Sequence, residues 1–214
     1  MKKNLIKNSD ISLKNKIINF YKKKKKFIYL TLSFLIIIFI FFGYYLNSKE
    51  KQKLIFSEKY ITAKIYLSND NKEESKKILK ELIFANSSTY STLSLFLILS
   101  EKLIRDKEEI ILLFDHVLKN NEFDDEIKNL ILFKKALFLS SFADEVELLE
   151  SIKSLTNNDS IWKPHALLLL ADYFFMNNQY NKSKDFYVQI LEMKNLNNEF
   201  YEHAKLQLII ISNE

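Results

Sequence analysis

The chain has 214 residues, room for one ordinary domain and a short extra segment. It holds 31 Lys against a single Arg (Arg105), abundant Asn and Ile, one Gly, one Pro and no Cys; this excludes disulfides and thiolate chemistry and favours an all-α fold. The net charge of +5 divides unevenly, because residues 1–46 carry ten Lys and one acid (Asp10), or +9, while residues 47–214 carry 22 Lys and Arg against 26 Asp and Glu, or −4, so the folded part lacks the basic balance of a nucleic-acid-binding domain.

Residues 1–26 read as a basic tail that ends in five consecutive lysines, Lys22, Lys23, Lys24, Lys25 and Lys26. Residues 27–46, FIYLTLSFLIIIFIFFGYYL, follow without a charge. Twenty helical residues span roughly 30 Å, the thickness of a bilayer's hydrocarbon core, and Tyr44 and Tyr45 stand where amphipathic rings favour the headgroup region. A secretory signal peptide would have a shorter apolar core and a small-x-small cleavage site; "GYYLNSKEK" offers none. The expectation is an uncleaved transmembrane helix. Eight Lys precede it within twenty residues and five follow, mixed with Glu50 and Glu58. The lysine run is therefore a topology signal that keeps the tail cytoplasmic and sends residues 47–214 across, with anionic membrane lipid as an additional partner. Gly43 has no small residue four positions away, so no small-xxx-small dimer seam is expected.

Beyond Asn47, apolar segments alternate with Asn-rich breaks at 69–71, 86–88, 120–121, 157–159, 177–178 and 195–198. Asn and Ser at such points stop one helix and cap the next, and with Gly so scarce, Asn must fill positive-φ positions. The predicted helices are 50–68, 71–85, 88–104, 107–119, 123–140, 143–155, 161–177, 180–193 and 198–212, four pairs and a terminal helix. Leu79, Phe114, Leu149 and Tyr187 recur at spacings of 35, 35 and 38, near the 34-residue tetratricopeptide period. The last pair follows that pattern best. Leu167, Leu170, Ala171 and Phe174 take the large, large, small and aromatic positions of its first helix. Asn178 replaces the turn glycine, and Tyr180, Ser183 and Tyr187 take the aromatic, small and aromatic positions of its second. Small residues allow close helix approach while the rings fill the remaining seam. Ala63, Tyr66, Ser75 and Leu79 form a weaker copy, and the middle pairs keep little beyond apolar periodicity. The expected fold is all-α: one transmembrane helix, then a tetratricopeptide-like array of antiparallel helix pairs, closed by a capping helix at 198–212.

No catalytic constellation emerges. His116, His165 and His203 lie in different helices, without the close spacing that metal binding favours. "SNDNKEES" (68–75) approaches an acidic calcium loop but lacks its glycine and terminal glutamate; Asp70 or Asn71 as an N-cap, with Glu73 and Glu74 in the first turn, accounts for it. "EFDDE" (122–126) reads the same way. The single glycine lies in the apolar stretch, so no phosphate-cradling loop or dinucleotide fingerprint can be built. The expectation is a protein that is not an enzyme, with no cofactor, no metal, no nucleic acid and no small-molecule substrate. Trp162, Tyr173 and Tyr201 fall outside the repeat-defining positions and are candidates for a partner-binding groove.

A basic tail, one span and an exported, degenerate helical array together resemble the ancillary SecYEG translocon subunit family (YfgM-like). "SIWKPHALLLLADYF" (160–174) is similar to the Trp-basic-x-x-Ala-Leu stretch of alphaproteobacterial members, and "YEHAKLQL" (201–208) to their final helix. The resemblance implies a single-pass bacterial inner-membrane protein whose C-terminal domain is periplasmic. It implies translocon subunits, periplasmic chaperones or client polypeptides as partners, and no enzymatic activity. A scaffold in another envelope assembly, such as an outer-membrane insertion or secretion machine, would share the same layout.

Overall fold

The structure, a computed structural model, describes every residue except Met1, Asp159, Asn195 and Glu214. Within the first helix, the side chains of residues 2–23 and of positions 28, 31, 32, 36, 40, 42, 43, 45 and 46 also lie outside the description. The chain divides into two units, Met1–Ser57 and Glu58–Glu214. All regular elements among the described residues are helices.

The helix α1 runs through Lys2–Ser68, where the sequence had indicated a tail, a span and a separate helix from residue 50. The reason is local: "NSK" at 47–49 contains neither Gly nor Pro, and an Asn or Ser inside a helix costs only about 0.5 kcal/mol relative to the best helix formers. Among the described residues no helix is long and apolar enough to cross a membrane. Nine positions of the expected 27–46 span lie outside the described side chains.

In the second unit α1 is followed by α2 (Lys72–Phe84), α3 (Ser88–Ser100), α4 (Lys107–Asn120), α5 (Asp125–Leu139), α6 (Glu145–Asn157), α7 (Lys163–Met176), α8 (Tyr180–Leu191) and α9 (Asn198–Ser212). Short polar side chains start most of them. Asn71 accepts from the Glu74 amide, Asp106 from those of Glu108 and Glu109, Asp124 from Ile127, Asp144 from Glu147 and Asn197 from Glu199, satisfying N–H groups that have no partner within the helix. Both acidic clusters thus serve as helix starts. Asp70, by contrast, ends α1.

Helix ends show how a chain almost without glycine turns. Asp70, Asn86, Lys102 and Asn178 adopt φ of 57°, 54°, 50° and 59°, the left-handed region that Gly enters most easily. At three of them the paired hydrogen bonds of a Schellman turn are present: Asp70 N–H to Leu67 O with Asn71 N–H to Tyr66 O, Lys102 N–H to Leu99 O with Leu103 N–H to Ile98 O, and Asn178 N–H to Phe175 O with Gln179 N–H to Phe174 O. Lys102 explains why α3 stops at Ser100 and not at 104. Leu103 and Ile104 then turn inward and are buried, leaving 101–106 as a pinned loop.

From α2 onward each helix packs antiparallel on the next, and three pairs two apart also meet: α2 with α4, α5 with α7 and α7 with α9. The core forms three consecutive clusters, centred on Phe114 with Leu79 and Leu95, on Phe174 with Leu148 and Ile152, and on Tyr187 with Ile190 and Ala204. Each cluster joins near neighbours in sequence, as in repeat proteins. The buried position of α6 is Leu148; Leu149, predicted from the period, is only partly buried. Ala204 of α9 is buried in the third cluster, yet Leu206, Ile209 and Ile210 on the same helix remain exposed, unlike the polar outer face of a terminal cap.

Candidate docking groove

The α7–α8 pair has the most extensive helix–helix interface among the described elements. Ala171 and Ser183 are fully buried at its centre, and the Ser183 hydroxyl donates to the Ala171 carbonyl at 2.9 Å. A side chain can reach across to the facing backbone only when both crossing positions are small. Leu167, Leu170, Phe174 and Tyr187 are buried around this contact. Phe174 lies parallel to Phe186 at 5.5 Å, and Lys182 sits 5.2 Å above its ring while donating to Glu145 of α6 at 2.6 Å. Tyr180 is half-buried; its hydroxyl donates to Asn178 at 3.2 Å and its ring meets Phe175 at 5.7 Å.

One carboxylate ties three helices. Asp172 Oδ1 accepts from the Tyr187 hydroxyl at 2.5 Å and stands 3.2 Å from His203 Nε2 of α9. Burial first, then the adjacent Asp172 carboxylate, pushes the Tyr187 phenol well above its ordinary value, so Tyr187 stays a neutral donor. The other histidines are placed separately. His116 Nε2 is 2.9 Å from Asn86 Oδ1, and His165 packs among Phe133, Trp162 and Phe200. Among the described residues no group of three or more His, Asp or Glu is arranged to hold a metal ion.

The three ring candidates take different places. Trp162 stacks on Phe133 at 5.6 Å, with its indole N–H buried and without a hydrogen-bond partner. Tyr173 is half-buried in the second core cluster, its hydroxyl directed to the Ala143 carbonyl at 3.5 Å. Only Tyr201 is exposed. Lys24, Lys25 and Lys26 are exposed, and the side chains of Lys22 and Lys23 lie outside the description.

A groove of about 1140 Å³ lies elsewhere, bounded by Tyr60 of α1, by α3, by the 101–106 loop and by α5. Its floor is apolar. Leu93, Phe96 and Leu97 of α3 face Leu137 and Phe138 of α5, with Leu93 40% and Leu137 43% exposed. Positions 93, 96, 97 and 100 follow the i, i+3, i+4, i+7 spacing of one helix face. The opposite face of α3, with Ser91, Ser94, Leu95 and Ile98, is buried in the core. Helix α3 has no charged residue at all. Partly exposed leucine and phenylalanine side by side on one helix face mark a surface for a partner, and here that side is an open groove.

The rim is cationic: Lys72, Lys102, Arg105 and Lys134 against the single acid Glu101. No ion pair among the described residues engages Lys102, Arg105 or Lys134, and Lys72 has only Asp70 at 3.9 Å. A second hollow, of about 880 Å³ over α2, differs in kind. Three of its lysines are internally neutralised, Lys59 by Glu81 at 2.9 Å, Lys76 by Glu73 at 2.6 Å and Lys80 by Glu109 at 2.5 Å. No family model, curated protein or solved structure matches the chain at a significant level.

Proposed function

We propose that this chain is a membrane-anchored, non-enzymatic interaction protein whose tetratricopeptide-like helical domain docks other polypeptides. The observation that carries this reading is the groove itself. Its apolar floor is built by the first helices of successive pairs, α1, α3 and α5, the side on which stacked helix pairs offer an extended binding surface. A groove of about 1140 Å³ floored by partly exposed leucines and phenylalanines suits a polypeptide's apolar side chains.

The charge-free stretch 27–46 and the lysine run before it support anchoring by a single span, with the tail in the cytoplasm and residues 47–214 outside. With the family resemblance of "SIWKPHALLLLADYF" and "YEHAKLQL", the proposed place of action is the bacterial inner membrane beside the SecYEG export channel. There the domain would present clients or periplasmic chaperones. Solubilisation in mild detergent followed by affinity capture of the full chain recovers channel subunits on this reading. Repeated absence of channel subunits from well-recovered bait would reject the channel as partner, and crosslinks confined to an outer-membrane insertion or secretion machine would identify it as an envelope scaffold.

A further inference from the structure

We propose that the groove between α3 and α5 selects acidic, amphipathic polypeptide segments, which lay apolar side chains on Leu93, Phe96 and Leu137 and place carboxylates against Lys102, Arg105 and Lys134. This rests on the docking reading above and assigns the chemistry of the docked partner.

Three independent observations converge. The first is the unfinished packing of α3, whose groove-facing leucines and phenylalanine remain partly exposed although the helix carries no charge to hydrate that side. The second is a reversal of charge. Residues 47–214 sum to −4, yet the groove rim holds four cations and one acid. Lys59, Lys76 and Lys80 of the α2 hollow each hold a carboxylate, as does Lys135 with Asp115 at 2.6 Å; Lys102, Arg105 and Lys134 have no such partner among the described residues. Cations so arranged around an apolar floor give selectivity for acidic sequences and speed encounter with them.

The third observation is the backbone of Lys102. Among the described residues the other three non-glycine positions at positive φ are Asn or Asp, which tolerate that region; Lys102 is the exception. The strain is held by the Schellman bonds before it and by buried Leu103 and Ile104 after it. As a result Lys102 and Arg105 both stay exposed on the rim. An unfavourable backbone held in place by its surroundings is common where a side chain is being positioned.

The chain's own tail is a poor occupant, since residues 1–46 carry +9 and would be repelled by the rim. A bound acidic helix would satisfy both parts of the site, its i, i+3, i+4, i+7 apolar face matching the floor.

The test uses the full chain in non-ionic detergent and a fluorescent synthetic peptide with Leu and Phe at i, i+3, i+4 and i+7 and Glu at most other positions. Anisotropy should report saturable binding that weakens steeply with salt. The double variant K102E/R105E should weaken it about tenfold or more, and K134E should weaken it independently. Leu137→Ser should weaken it at unchanged salt dependence. A peptide with every Glu replaced by Lys should not bind. Equal binding of the Lys peptide, or unchanged affinity in both charge variants, would overturn the proposal. So would displacement of the peptide by phosphatidylglycerol vesicles but not by unlabelled peptide, which would make the site a lipid-headgroup site. Channel capture by K102E/R105E separates the two levels. If capture persists while peptide binding fails in the parent chain, the docking role stands and the assigned chemistry falls.

Discussion

Replacing Ser183 with leucine tests the α7–α8 seam where its geometry is tightest. Ser183 and Ala171 are both fully buried, and the hydroxyl-to-carbonyl distance of 2.9 Å leaves no space for added atoms. The larger side chain would bring extra carbons into contact with the α7 backbone and remove the hydrogen bond. Overpacking of this kind costs about 1–3 kcal/mol and the lost bond about 0.5–1.5, so Ser183→Leu should lose about 2–4 kcal/mol. Ser183→Ala removes only the bond and should lose about 1 kcal/mol. For a domain of this size each kcal/mol lowers Tm by about 2–4 °C, which predicts a fall of roughly 5–15 °C for the leucine variant. Trp162, the single tryptophan, reports the transition, because its ring is stacked on Phe133 in the adjoining core cluster. A leucine variant melting within about 2 °C of the parent would show that the helices are not held in close approach by small residues, and the packing argument would fail.

Phe174→Ala should lose about 3–5 kcal/mol in the same melting assay, since the ring is buried and stacked on Phe186. Tyr187→Phe should lose about 1–2 kcal/mol near neutral pH, less than a fully buried bond to a charge because the Asp172 side chain is 41% exposed. The phenol's pKa is raised in the fold, so its contribution is fully present below the unfolded value of about 10 and is lost as pH rises above it. Denaturant titrations from pH 9 upward should therefore show a shallower alkaline loss in Tyr187→Phe than in the parent, and equal slopes would contradict the assignment. Lys102→Gly should gain about 1 kcal/mol by relieving the left-handed backbone, while weakening binding of the acidic peptide; a loss of stability would mean that the Lys102 conformation is not strained.

Much of the second unit was legible because its punctuation is local. Asn71 and Asn197 cap helices from within the breaks read off the sequence, Asp124 caps one from within the acidic cluster at 122–126, and Asn178 stands at positive φ where a turn glycine was missing. Lys102 was not legible, because lysine carries no turn preference and its conformation is imposed by buried Leu103 and Ile104. Leu149 missed its place by one position, a shift that a loosely kept period cannot resolve. The contacts of Trp162 with Phe133 and of Tyr173 with Ala143 were not legible, because they join residues about thirty positions apart. The groove was overlooked for a different reason. Its floor resides in an apolar helix that reads as ordinary core, and only the packing shows that one face of α3 is left uncovered.

Site-specific photocrosslinking in intact membranes asks whether the groove receives another polypeptide beside the export channel. A photoreactive residue at Leu137, 43% exposed on the groove floor, is compared with one at Met176, 81% exposed outside it. Adducts with channel subunits, chaperones or exported clients are expected from position 137, lost in K102E/R105E and absent from position 176. Adducts of equal yield from both positions would contradict docking in the groove, whereas adducts from 137 that persist after charge reversal would leave the docking role and remove the acidic-partner assignment.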